Sequence, residues 1–150
     1  MSSFDSRFER LIERLQAKYR EITEYRSNLN WRFFQGTAPD AYRAGFDDSA
    51  WKSIDLPLLI DARGGESWLR CTVTIPDEVA SIEVSGSTAK LSSSIMLGSS
   101  EMYVNSQRVM TAEYWTELRG PRIQLNEKVK PGEEYVVAFH ILPYHEPINV

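Results

Sequence analysis

Proline or glycine interrupts the chain at residues 36, 39, 45, 57, 64, 65, 76, 86, 98, 120, 121, 131 and 132. Such punctuation ends an element every few residues and favours short strands joined by turns. Ahead of it lies the one segment with a different period. Phe4, Phe8, Leu11, Ile12, Leu15, Tyr19 and Ile22 fall at steps of three and four, which lines one side of an α-helix. This spacing predicts a single helix from residue 4 to about 24, with the helical period over by Asn28. Its opposite side carries Arg7, Arg10, Arg14 and Lys18 in a stripe beside Glu9 and Glu13. Water satisfies a stripe of that kind, and an acidic partner domain could do so too.

Between the breaks, Ser67 to Ile75 alternates cleanly. Leu69, Cys71, Val73 and Ile75 point one way, and Trp68, Arg70, Thr72 and Thr74 the other, as in a half-buried strand with Cys71 in the core. Tyr135 to Leu142 is apolar on both faces and bounded by Pro131-Gly132 and Pro143, which predicts a central strand. Residues 82–84, 95–97, 102–104 and 123–125 are further strand candidates, with Asn105-Ser106 as the turn of a hairpin. Many short strands with regular turns imply a mainly β, antiparallel sandwich or barrel.

At 150 residues the chain has room for one hydrophobic core. Its net charge of -4 gives no basic footprint for nucleic acid. No apolar run approaches the roughly 20 residues of a spanning helix, so no membrane partner is expected. The first residues lack a leader pattern, and a cytoplasmic location is the expectation, or a periplasmic or extracellular one if a leader was removed. Cys71, the single cysteine, excludes an internal disulfide and any multi-cysteine metal site.

Five pieces in order carry a family resemblance: Gly45-Phe-Asp-Asp-Ser-Ala-Trp51, Ile54-Asp-Leu-Pro57, Trp68-Leu-Arg70 through Val73-Thr-Ile-Pro76, Glu101-Met-Tyr-Val-Asn105, and Val129-Lys-Pro-Gly-Glu-Glu-Tyr-Val-Val-Ala138. Together they resemble the galactose-binding-like, jelly-roll β-sandwich at the front of many glycoside hydrolases, over about Trp31 to Leu142. The helical lead, followed by Ile22-Thr-Glu-Tyr-Arg26, is most similar to the amino-terminal region of microbial α-mannosidases of glycoside hydrolase family 38. Family 2 β-glycosidases share the sandwich motifs and usually lack that lead. The resemblance implies a helical lead over 1–28, a sandwich over 29–150, and catalysis, with any catalytic metal, in a later domain of the same chain. Two departures stand out: Asn105-Ser106 replaces the family's Asn-Gly, which bears on the hairpin geometry, and Ser85 to Ser94 is more polar than the strand expected there. The ending at Pro143-Tyr-His-Glu-Pro-Ile-Asn-Val150, just past a strand that reads as central, also suggests a piece cut from a longer enzyme.

Residue chemistry supports a non-catalytic reading. Asp47-Asp48 and Glu133-Glu134 sit in turn sequences, where they do not form the spaced carboxylate pair of a glycosidase. His140 lies inside an apolar strand and reads as a satisfied core histidine, and His145 belongs to no ligand spacing. Asp47, Asp48 or Ser49 is expected to hold a turn while Trp51 buries its ring, with Asp47 and Asp48 as alternative ligands of a structural calcium. Arg70 is expected to stack or hydrogen-bond inside the sandwich. Carbohydrate contact, if any, is expected at Tyr114 and Trp115, flanked by Glu117 and Arg119, because aromatic rings cover the apolar side of a pyranose while polar groups take its hydroxyls. Three functions are in view: an accessory domain of a glycoside hydrolase, with an α-mannosidase as parent and the catalytic domain as partner; a free-standing carbohydrate-binding module; and a protein-interaction domain working through the helix and exposed aromatics.

Overall fold

The computed structural model describes residues 3–23, 29–56, 58, 60, 64–92, 99–112 and 122–142. One helix, α1 (Ser3–Thr23), leads the chain. Among the described residues ten strands follow: β1 (Trp31–Gln35), β2 (Lys52–Ile54), β3 (Ser67–Thr74), β4 (Glu78–Val79), β5 (Ile82–Glu83), β6 (Ala89–Ser92), β7 (Ser100–Val104), β8 (Gln107–Ala112), β9 (Arg122–Asn126) and β10 (Glu134–Ile141). Six form one antiparallel sheet in the order β2-β1-β3-β10-β7-β8, while β4 pairs with β5 and β6 with β9. The architecture is the mainly β, antiparallel sandwich with a leading helix that the residue patterns imply. No described helix is long and apolar enough to cross a membrane.

Period-two alternation organises the core. In the six-stranded sheet, Leu69 stands between Phe33 and Phe139, Phe139 beside Met102, and Met102 beside Met110, all on one face. Cys71 and Val137 extend that face, and Trp31 closes it against Phe139 at a ring separation of 5.9 Å. Leu91 of β6 and Ile123 of β9 pack onto this cluster and so provide the second layer. The polar stretch Ser85–Ser94 thus does contain a strand: β6 needs only alternate apolar residues, Ala89 and Leu91, because one face is turned to solvent. Ile75, Val129 and Tyr135 form a smaller cluster at one end. There Gly132, at φ 78°, bends the Pro131-Gly132 turn so that its N–H donates to the Ile75 carbonyl.

β10 is central, as its two apolar faces require, with β3 and β7 on either side. β3 differs from the half-buried strand that its alternation suggests. Trp68 and Arg70, on the face opposite Cys71, are 3% and 2% exposed. The segment 36–51 folds over that face and buries it with Ala38, Ala41, Tyr42, Phe46 and Trp51. The hairpin turn joining β7 to β8 is where Asn105-Ser106 predicts it. Both residues have positive φ, 48° and 72°, so the serine adopts the backbone that glycine would supply. Its hydroxyl compensates by accepting the Ala44 N–H at 2.8 Å, while Asn105 Oδ1 accepts the Val136 N–H at 2.9 Å. Residues 95–97, a further strand candidate, lie outside the described residues.

Candidate functional site

Ionisable groups gather on the outer side of the six-stranded sheet, under segment 36–51 and beside it. Two clusters occupy it. The first is built on Arg70, whose position in the middle of β3 places a long cation under the covering segment. Its Nε donates to Asp48 Oδ2 at 2.8 Å, and its Nη atoms donate to the carbonyls of Ala41, Arg43 and Phe46, the latter two at 3.1 and 3.4 Å. The guanidinium also lies 5.4 Å from the centre of the Phe46 ring. A planar fork of five donors can serve several acceptors at once, which is why an arginine can be buried here. Asp47 turns instead to the loop itself and accepts the Ser49 N–H at 3.0 Å; its bonds to Ser49, side chain then backbone, hold its carboxyl below the ordinary carboxylate range. Trp51 buries its ring by stacking on Phe34 at 5.3 Å and tilting against Phe46. The acids, the serine and the tryptophan of the Gly45–Trp51 motif thus fasten a loop. Asp48, one of the two calcium candidates, has its carboxylate engaged by Arg70.

The second cluster surrounds His140. Its ring stacks flat on Trp68, centroids 4.1 Å apart and planes within 8°. Nε2 lies 2.7 Å from Glu66 Oε2 and Nδ1 3.5 Å from Glu101 Oε2. Glu101 also accepts from the Tyr103 hydroxyl at 2.7 Å and from Arg108 Nη1 at 2.8 Å. A Thr37 hydrogen bond and then the His140 bond hold the Glu66 carboxyl below its usual range. Glu101 is lowered too, chiefly by Tyr103, with Arg108 and His140 adding to it. Burial, with the bond to Glu101, pushes the Tyr103 phenol up to about 12. Two carboxylates held ionised in this way store no proton for a glycosidic oxygen, whereas a general acid needs a raised value. The cluster is a hydrogen-bonded seam joining β7, β8, β10 and the residue that leads into β3. His140 is the satisfied histidine that its sequence context implies.

Glu66 belongs to none of the five family-like pieces, and Glu101 and Tyr103 belong only to the Glu101–Asn105 piece, without a role there, because the association of the three depends on which strands are neighbours. His140 pairs with both Trp68 and Glu101 across the sheet, and only that register brings the two carboxylates to one imidazole. Tyr114, Trp115, Glu117 and Arg119, the carbohydrate candidates, and His145 lie outside the described residues. No group of three or more histidine, cysteine or acidic residues among the described ones is arranged to hold a metal ion. The Cys71 thiol is driven up to about 12 by burial and is therefore no nucleophile at neutral pH.

No protein-family model matches the chain, and no curated protein matches it either. Solved structures do. Residues amounting to 82% of this chain superpose on 15% of a Bacteroides uniformis β-glucuronidase, with a TM-score of 0.64 and 20% identity. A glycosyl hydrolase family 2 member from Bacteroides cellulosilyticus matches 80% of this chain over 18% of its own, at TM-score 0.62 and 17% identity. A Ruminococcus gnavus β-glucuronidase matches 78% over 20%, at TM-score 0.55 and 16% identity. The sandwich is shared with parts of these larger chains. At such identities the likeness is one of fold. The chain spans a fifth or less of each of them.

Proposed function

We propose that this chain is a non-catalytic accessory module of a glycoside hydrolase, with a helical lead over 1–28 and a sandwich over 29–150 that packs on the catalytic part of the same polypeptide. The observation carrying this reading is the mismatch in coverage: about four-fifths of this chain corresponds to a fifth or less of enzymes whose names state glycosidase activity. The outer-face chemistry agrees with it, since the motif residues spend their polar groups on holding segment 36–51 to β3. Two parents compete at the finer level. The helical lead resembles family 38 α-mannosidases, whereas the solved structures sharing the sandwich include family 2 members and β-glucuronidases. The α-mannosidase reading therefore rests on the motif resemblance alone.

One experiment separates these statements. The purified 150-residue protein is assayed on aryl α-mannoside and aryl β-glucuronide beside the product of the full reading frame from the source gene. The accessory reading expects no turnover by the 150 residues and turnover by the longer product. Hydrolysis of either substrate by the short chain, at a rate unaffected by further purification, overturns it. Which substrate the longer product cleaves decides between the parents.

A further inference from the structure

We infer that Lys18 is a latch that seats α1 on the β4–β5 hairpin, and that this seating is coupled to the left-handed turn of the hairpin. This does not rest on the glycosidase reading. Lys18 Nζ donates to the Ala80 carbonyl at 2.7 Å, across 62 positions of sequence. Phe8, Leu11, Ile12 and Leu15 of α1 are 39% to 61% exposed, so burial of these apolar side chains does not place the helix on the sandwich. That task falls to polar contacts, of which the Lys18 bond is one.

The acceptor lies in a turn that its own residues disfavour. Ala80 and Ser81 join β4 to β5 with φ of 54° and 62°. A two-residue hairpin adopts this left-handed form because its twist matches that of the strands, and asparagine or glycine is its usual source. Any other residue there brings its Cβ close to the following carbonyl oxygen. The β7–β8 turn has the same form, yet its two side chains help to hold it: Asn105 Oδ1 accepts the Val136 N–H and Ser106 Oγ accepts the Ala44 N–H. Ala80, at the place of Asn105, has a methyl group that makes no such bond. The bond at Ala80 comes instead from the helix.

A second cost is electrostatic. Glu78 and Glu83 are exposed and stand directly opposite each other across the hairpin, a placement in which like charges repel. The Lys18 ammonium, at the carbonyl two residues on from Glu78, offsets that repulsion while it fixes the turn. Helix seating and the left-handed turn thus favour each other, and the coupling is reciprocal. Release of Lys18 leaves the turn without its external bond, and a turn that needs no such bond stops responding to Lys18. Because the bond is set against strain and repulsion, the latch positions α1 and adds little to the stability of the sandwich.

Nuclear magnetic resonance of the 150-residue chain tests both parts. A nitroxide on Gln16→Cys, two residues from Lys18 on the exposed helix, should broaden the amides of residues 79–83; Cys71 is buried and stays unlabelled. The left-handed turn is read from the strong HN–Hα contact within Ala80 and within Ser81, and the hairpin from contacts between residues 78 and 83. Lys18→Met keeps the stem and removes the ammonium. It should weaken the broadening, the turn contacts and the cross-strand contacts several-fold, whereas Lys18→Arg, which keeps a cationic donor, should preserve all three. In the Ala80→Gly/Ser81→Gly background the turn carries no strain, so adding Lys18→Met should still weaken the broadening and leave the cross-strand contacts in place. Undiminished broadening in Lys18→Met overturns the latch. Broadening lost with the turn contacts unchanged overturns the coupling, and so does loss of the cross-strand contacts in the glycine background.

Discussion

Arg70 shows how one side chain can decide where a loop goes. Its side chain, 3% exposed, faces a carboxylate that is 28% exposed and three backbone carbonyls of segment 36–51, of which that of Arg43 also accepts the Phe46 N–H. Replacing Arg70 with Met removes the cation and leaves all four acceptors, and such losses cost about 3 kcal/mol. Urea unfolding of Arg70→Met should show that drop. Arg70→Lys should recover only part of it, since an ammonium keeps the charge and loses the fork. Part of this was legible in the sequence: acids and a serine ahead of a tryptophan signal a held turn, and an arginine beside a tryptophan in an alternating strand signals an internal bond. Which acid takes the arginine was not, because Asp47 and Asp48 are equivalent until the loop's path sends one back onto Ser49 and the other down to β3.

Among elements, β10 has the largest role. It was legible as a central strand from its two apolar faces, and its end carries His140 into the seam between Glu66 and Glu101. The seam makes stability depend on acid. Both carboxyls have folded-state values below the ordinary 4.5, so the folded protein binds fewer protons than the unfolded chain as pH falls below that value. Their contribution is therefore fully present above pH 4.5 and is lost as pH drops through the depressed folded values. Urea midpoints measured from pH 7 down to pH 3 should fall in the acid range. The Glu66→Gln variant should start lower and descend less steeply, because one of the linked protons is gone. Its midpoint falling as steeply as the wild type's would show that Glu66 does not contribute to the slope. Other elements were obscure in the sequence for a common reason: β2, β4 and β5 have two or three residues each, too few for a period to declare itself.

For the whole molecule, we propose that the helix and the sandwich are separate energetic units. The described side chains of α1 are exposed along its length, so its residues add little to the sandwich core. A chain of residues 29–150 should accordingly unfold in urea within about 1 kcal/mol of the full chain. A large loss would mean that α1 supports the sandwich directly. The amino-acid order by itself determined the period of each long element, the turn positions and the inward set of β3 and β10. These are local properties, settled by side-chain geometry and by which backbone angles proline, glycine and asparagine accept. Only the tertiary structure decided that segment 36–51 closes the outer face of the sheet and that Glu66, His140 and Glu101 meet. Both depend on the neighbour order β1-β3-β10-β7, which joins residues as far apart as 66 and 140 by burial and hydrogen bonding across strands, and no local period encodes that choice.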